Sequence, residues 1–229
     1  MDQSEAGRAE RQPPRRRVLA TRGVPYAPRM TTDWDARYAE TGWAFGLEPN
    51  DFLREQVAAL PVRGRVLCLA EGEGRNAVWL AQQGFDVTGV DTSGVGLAKA
   101  RALAESRGVT IATTVADLAT YDPGVEAWDA IVSIFAHVPA DVRRRVHASI
   151  PRALRPGGVL LLEAYRPSQL AQGTGGPPDD ARMLDLDRLR AELGTLTWTL
   201  AREVERDVIE GRYHTGRAHT VQLVARREA

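Results

Sequence analysis

The sequence predicts an α/β fold in which helices cover both faces of a mostly parallel, doubly wound sheet. Three observations carry this reading. From residue 33 onward, short runs rich in Val, Ile and Leu alternate with helical patterns; a Gly-x-Gly turn joins the first such run to a helix; and the last quarter changes to longer runs around a turn-rich segment. The 229 residues, 43% hydrophobic and 26% charged, suffice for one good-sized core and are too few for two ordinary domains.

Residues 1–29 are rich in Arg, Pro and Gly, show no helical or strand period, and read as a disordered extension ahead of a domain spanning 30–229. Met30 precedes Thr31-Thr32-Asp33, a helix-cap sequence, which makes it a candidate natural start. Strands are predicted at 65–70, 86–90, 110–115, 128–134 and 159–163, each apolar enough to be buried on both faces. Between them, helices are predicted at 76–83 up to Gly84, at 96–106 before Gly108, and at 141–154 before Arg155-Pro156-Gly157-Gly158. Runs at 195–200 and 220–224, with turn-rich 210–216 between them, read as an antiparallel hairpin closing the sheet edge.

Formal charge is zero overall but uneven: residues 1–29 carry seven Arg against Asp2, Glu5 and Glu10, which leaves the remaining 200 residues at net −4. A nucleic-acid substrate is therefore disfavoured, because phosphate contacts need a local excess of Lys and Arg. No apolar run approaches the roughly 18 to 20 residues that span a bilayer, and no signal-peptide core precedes the domain, so a cytoplasmic protein without membrane contact is expected. The single cysteine, Cys68, lies in an apolar strand and reads as a core residue. No metal-ligand constellation is expected, and the composition permits a monomer or a homodimer.

The segment Leu69-Ala70-Glu71-Gly72-Glu73-Gly74-Arg75-Asn76 sets strand, glycine turn and helix start in succession. That geometry suits a nucleotide: glycines let the backbone approach a ligand, and the helix start offers free amides. Asp91 ends the second strand, where a carboxylate accepts ribose hydroxyls, or alternatively caps the helix beginning Thr92-Ser93. Asp117 ends the third, positioned for an adenine amine beside Leu118, or serves as a turn residue. A dinucleotide fingerprint would place a further glycine where Ala77 stands, so a nicotinamide oxidoreductase is the alternative rather than the leading reading.

At these residues the chain resembles the class I S-adenosylmethionine-dependent methyltransferases, and most of all the small bacterial group related to tellurite-resistance and thiopurine methyltransferases. The resemblance runs over about residues 33–227 and includes Trp34-Asp35-Ala36-Arg37-Tyr38, Glu48-Pro49-Asn50, the glycine segment, Val90-Asp91, Ala116-Asp117-Leu118, Ile134-Phe135-Ala136-His137 and Leu154-Arg155-Pro156-Gly157-Gly158. It implies a Rossmann-like seven-stranded sheet of order 3-2-1-4-5-7-6 with strand 7 antiparallel. It also implies S-adenosylmethionine as cofactor, held by Ala70, Glu71, Gly72, Gly74, Asn76, Asp91, Thr92, Asp117, Leu118 and Ile134, with Arg37 on the cofactor carboxylate. Cys68 replaces the acid that usually opens the glycine motif and Ala70 its first glycine, so Glu71 is expected to take over the water-mediated contact to the methionine amine.

Methyl transfer needs an electron pair aligned with the methyl group at roughly 3 Å and water kept out; a base is needed only when the acceptor is neutral. His137, after the fourth strand, and His214, in the hairpin turn, are the candidate catalytic residues, each with a plain structural reading beside it. The long connection 166–180 reads as a lid with glycine hinges, and Trp34, Tyr38, Trp43 and Phe45 as an opposite wall. The implied substrate is a small-molecule nucleophile, a thiol or metalloid among the possibilities. A non-catalytic cofactor-binding protein is the third reading.

Overall fold

The computed structural model describes Met1 and residues 32–228. The expected extension at 1–29 and the candidate start at Met30 lie outside the described residues, apart from Met1. Within residues 32–228 the chain runs α1 (Trp34–Ala39), α2 (Asp51–Gln56), β1 (Arg65–Leu69), α3 (Arg75–Gln82), β2 (Asp86–Asp91), α4 (Gly94–Ser106), β3 (Ala112–Val115), β4 (Trp128–Ile134), α5 (Ala140–Ala153), β5 (Leu154–Tyr165), α6 (Leu186–Leu193), β6 (Thr197–Glu210) and β7 (His214–Arg226). The seven strands form one sheet of order β3-β2-β1-β4-β5-β7-β6. Strands β1 to β5 pair in parallel, while β7 lies antiparallel to both β5 and β6.

Strand β1 shows why the sheet is covered on both sides. Val66 and Cys68 point into one apolar core with Leu80, Val132 and Leu161; Leu67 and Leu69 point into the other with Ile131, Leu160 and Ile150. Alternate side chains face opposite sides of a strand, so a run without a polar residue must be sandwiched. Cys68 is a free, buried core thiol, as its apolar neighbours predict. Four of the six described helices start on residues that accept from their first free amides: Asp33 from Ala36, Asn50 from Leu53, Ser93 from Gly96 and Asp185 from Arg188.

Three boundaries differ from the sequence reading. Strand β5 begins at Leu154, with Arg155-Pro156-Gly157-Gly158 inside it, because its pairing to β4 skips from Trp128↔Leu154 to Ala130↔Val159 and the irregularity absorbs the turn-like residues. Strand β6 continues to Glu210 and β7 starts at His214, so the hairpin is far longer than predicted; the charged residues 202, 203, 205–207 and 210 fall on both faces of the strand and conceal its period. Helix α6 had no predicted counterpart. Among the described residues no helix is long and apolar enough to cross a membrane.

Candidate active site

After Leu69 the backbone enters left-handed geometry at Ala70 (φ +50°), Gly72 (φ +62°) and Gly74 (φ +92°). The two glycines are required for space as well as conformation: a Cβ on Gly72 would lie 2.5 Å from the Tyr38 hydroxyl, and one on Gly74 2.6 Å from the Ala100 Cβ. The Gly72 amide donates to Asp91 Oδ2 at 2.8 Å, and the Ser93 amide donates to Asp91 Oδ1 at 2.8 Å. Burial raises the Asp91 carboxyl above its ordinary value, opposed by these amides. Beside it Thr92 is exposed; Asp117 is exposed too, its Oδ1 accepting from the Ala119 amide at 2.8 Å, while Leu118 and Ile134 are buried. Parallel strands put the ends of β1, β2, β3 and β4 at one sheet edge, so the glycine turn, Asp91, Asp117-Leu118 and Ile134 come together there.

Two of the predicted cofactor residues turn inward. Glu71 Oε1 accepts from the Ala77 amide at 2.8 Å, in place of a side-chain cap on α3, and the carboxyl lies against the Cys68 thiol. Burial pushes Glu71 up to about 7, and it raises the Cys68 thiol well above its usual range. Through this bond Glu71 braces the start of α3. Asn76 accepts from the Asn50 amide at 2.9 Å and so ties α3 to the segment before α2. Arg37 stacks its guanidinium over the Tyr213 ring at 4.4 Å and over Trp34 at 5.4 Å, at the rim of the site.

The N-terminal segment is clamped onto this edge. Glu73 accepts from the Ala44 amide at 2.7 Å and pairs with Lys99, whose ammonium donates in turn to the carbonyls of Tyr38 and Gly42. At its far end the segment meets the β6–β7 turn backbone to backbone, since a Cβ on Gly211 would fall 2.4 Å from the Gly46 nitrogen. The result is a ladder of rings leading away from the glycine turn: Tyr38 to Phe45 at 6.3 Å, Phe45 to His214 at 4.5 Å, His214 to Phe135 at 4.8 Å and to Tyr165 at 5.3 Å. Phe135 reaches the cluster on a left-handed backbone, φ +52°, a strained conformation for a bulky residue.

The two candidate histidines differ. His137 Nδ1 lies 3.3 Å from the Arg182 carbonyl, its Nε2 accepts from the Tyr165 amide at 3.4 Å, and its ring stacks on Tyr165 at 5.4 Å. Burial holds it down to about 3, hence neutral, with both nitrogens committed to backbone. His137 thus holds the end of β5 at Tyr165. His214 has its Nδ1 turned toward Glu210 at 3.9 Å, beyond hydrogen-bond length, and burial lowers its pKa so that the neutral imidazole prevails. These two residues face each other as a cross-strand pair.

Glu210 itself anchors an ionic network that the sequence reading missed. Arg75, at the start of α3, reaches it at 2.6 Å; Arg206 bridges it at 3.2 Å and Glu163 at 2.9 Å; Asn50 donates to both carboxylates. Against the burial that raises it, the neighbouring His214, Arg75 and Arg206 hold Glu210 well below the usual carboxylate range. A signal was available, since three residues including Gly211 between Glu210 and His214 make a tight hairpin that sets them opposite each other. The connection 166–180 lies across the ring cluster. Buried Gln169 donates to Thr174 Oγ1 at 3.0 Å and to the Gly175 carbonyl at 3.3 Å, and accepts from the His219 amide at 2.8 Å.

The sequence profile described as "Methyltransferase domain" matches residues 66–158, the stretch from β1 through the glycine turn, Asp91 and Asp117 into β5. Together with the seven-stranded topology and the acidic strand ends, that match supports a class I S-adenosylmethionine-dependent methyltransferase. Its similarity to a 2-heptyl-1-hydroxyquinolin-4(1H)-one methyltransferase of Mycobacteroides abscessus is 26% identity over 61% of this chain and 62% of that protein. With a glycine/sarcosine N-methyltransferase of Halorhodospira halochloris it is 33% over 57% of this chain and 47% of the other. The chain thus spans about half the length of the curated relatives it matches, from 40% to 62%. A structure solved in work on conversion of a disulfide bond into a thioacetal group during echinomycin biosynthesis aligns at TM-score 0.67 and 27% identity, over 85% of this chain and 91% of that one. TehB from Haemophilus influenzae aligns at 0.63 and 18%, over 78% and 62%, a likeness of fold. The nicotinamide alternative is not favoured by these matches.

Proposed function

We propose that this protein is an active S-adenosylmethionine-dependent methyltransferase acting on a small-molecule nucleophile. The observation that carries it is the convergence at one sheet edge of the glycine turn, Asp91 and Asp117-Leu118. These residues fit the adenosine half of the cofactor: Asp91 for the ribose hydroxyls, Asp117 and the Leu118 amide for the adenine, and the glycine turn for the amino-acid arm, with Arg37 toward its carboxylate. When bound, the cofactor supplies an electrophilic methyl group on a sulfonium whose sulfur leaves as a neutral thioether.

The chain's own residues supply the rest. The ring ladder and the 166–180 strap keep water from the acceptor, which strengthens every polar interaction inside. Neutral His214, backed by Glu210, is the group able to take a proton from the acceptor. A thiol is within its reach. A metalloid acceptor has only likeness of fold behind it. Thermal unfolding with S-adenosylmethionine, S-adenosylhomocysteine and NAD in parallel tests the reading, because a ligand of the folded state raises the midpoint. Stabilisation by the two sulfur compounds alone is expected; stabilisation by NAD alone overturns the proposal.

A further inference from the structure

Of the 30 basic residues in the chain, 29 are Arg and one is Lys, at position 99. Lys99 stands on α4, and its ammonium meets three acceptors: Glu73 Oε1, the Gly42 carbonyl at 2.6 Å and the Tyr38 carbonyl at 3.1 Å. The Trp43 ring lies on a further side, its centroid 4.9 Å from the nitrogen. An ammonium carries three donors on one atom and suits such a cage; a guanidinium spreads five donors over a plane and cannot bring three of them to one point. The lone lysine is therefore a requirement of shape. Its partners come from two places: Glu73 is the buried residue between the two glycines of the turn, while Tyr38, Gly42 and Trp43 belong to the N-terminal segment.

That segment lies over the edge on which the glycine turn and Asp91 meet. Tyr38 is buried, its hydroxyl 2.5 Å from where a Cβ on Gly72 would stand and its ring 2.8 Å from where one on Gly96 would stand, so it reaches from the turn to the start of α4. Beside Asp91, Asp35 accepts from the Ser93 hydroxyl and, at 3.3 Å, from the Val95 amide. Beyond α1 the segment is fixed again at Ala44, whose amide donates to Glu73 and whose carbonyl accepts from the Arg212 and Tyr213 amides. Between the two, Gly42 has φ +84° and open space around it, which lets the chain bend there. Glu40 also meets Arg212 and Tyr213, but at an exposed position where ion pairs hold weakly. Every bond of the Lys99 cage joins protein to protein, so closing it does not wait for a ligand.

We propose that residues 33–42 form a hinged cover over the cofactor edge, and that Lys99 is the positioning residue that clasps it shut. This rests on the methyltransferase reading above. Exchange of the cofactor requires the ammonium to release the carbonyls of Tyr38 and Gly42, after which the cover turns about Gly42 while Ala44 stays fixed. Because the same ammonium pairs with Glu73 inside the glycine turn, the turn and the cover are ordered together. Lys99 thereby sets how fast the site opens, without touching the reacting atoms. Lids of this kind govern ligand entry and release in many enzymes, and here the rate depends on one side chain.

The test follows S-adenosylhomocysteine binding to the full-length protein by stopped-flow tryptophan fluorescence, with Trp34 in the cover and Trp43 beside it. Weakening a gate speeds both association and dissociation, whereas removing a binding contact speeds dissociation alone. Lys99→Arg keeps a positive charge opposite Glu73 but loses the three-point cage, and is expected to speed dissociation at least tenfold and association at least threefold. A second measurement needs no variant. With a single lysine in the chain, acetylation by an N-hydroxysuccinimide ester, read by peptide mass spectrometry, reports on Lys99 as the one side-chain amine. Saturating S-adenosylhomocysteine, which holds the cover closed, is expected to slow that acetylation at least tenfold. An unchanged dissociation rate in Lys99→Arg, association that does not speed up, or acetylation indifferent to the ligand would each overturn the inference alone. A wild-type protein that binds no S-adenosylhomocysteine in calorimetry would overturn the methyltransferase reading, and the inference with it.

Discussion

The glycine-turn edge and the ring cluster are built on opposite principles. The edge comes from three short pieces of chain, 70–76, 91–93 and 117–118, and its bonds are backbone amides donating to carboxylates. The cluster draws on Phe45, Phe135, Tyr165, Gly175, Glu210 and His214, brought together by ring contacts and buried ion pairs. The edge therefore depends on backbone conformation and space, the cluster on charge compensation. Substitutions should break them in different ways.

The largest effect is expected at Glu210. Removing one partner of a buried pair strands the other, so Glu210→Ala, which leaves Arg75 and one arm of Arg206 uncompensated, should cost about 3 to 5 kcal/mol. In a domain of this size that is a fall in Tm of roughly 10 °C, read by calorimetry. A partial recovery in the Glu210→Ala, Arg75→Ala double variant would assign the loss to the stranded charge; no recovery would assign it to packing. At the edge the contrasting failure is steric. Gly74→Ala adds a Cβ 2.6 Å from Ala100 Cβ and 2.7 Å from its Cα on a left-handed backbone, for an expected loss of about 2 to 4 kcal/mol and weaker S-adenosylhomocysteine binding. Gly42→Ala is the control, with positive φ and open space around the added carbon, and should cost only about 1 kcal/mol. Equal losses at the two glycines would refute the steric account.

The same contrast explains what the sequence disclosed. Gly72, Gly74, Asp91 and Asp117 sit at strand ends that apolar runs announce, so local pattern and parallel topology suffice to bring them together. Seven strands and their order followed from the family resemblance together with the C-terminal hairpin. Tyr165, Glu210, Arg206 and Asn50 were not legible, because their meaning lies in partners far along the chain: Asn50 meets Glu163 and Glu210 only once β5, β6 and the segment before α2 are packed. His137 looked catalytic because it follows a strand at the right edge, and only the positions of Arg182 and Tyr165 reveal that both its nitrogens are occupied.

Glu71 and His137 put opposite pH dependences into the two regions. Glu71, raised to about 7 from the ordinary 4.5, favours the protonated folded state: its contribution is full below about pH 4.5 and lost as pH rises through 7, a swing of about 2 to 4 kcal/mol. His137, lowered to about 3 from 6.5, contributes above pH 6.5 and loses that contribution as pH falls toward 3. Glu71→Gln keeps the acceptor for the Ala77 amide and removes the titration, so melting between pH 6 and 8.5 should fall in wild type and flatten in the variant. A parallel fall in both proteins would move the titration elsewhere.

The smallest effect is expected where the sequence departs from the family it resembles. Ala70 adopts φ +50°, a conformation that costs an L residue about 1 to 2 kcal/mol, in the position where a glycine would bear none of it. Ala70→Gly relieves that strain but gives up a methyl packed against the core below β1 and β4, and it enlarges the conformational freedom of the unfolded chain. These terms leave a net gain of about 0.5 kcal/mol, with S-adenosylhomocysteine affinity unchanged. A loss beyond about 1 kcal/mol would mean that packing of the Ala70 methyl outweighs the backbone strain. The edge would then depend on side-chain contacts as the ring cluster does, and the contrast between the two regions would narrow.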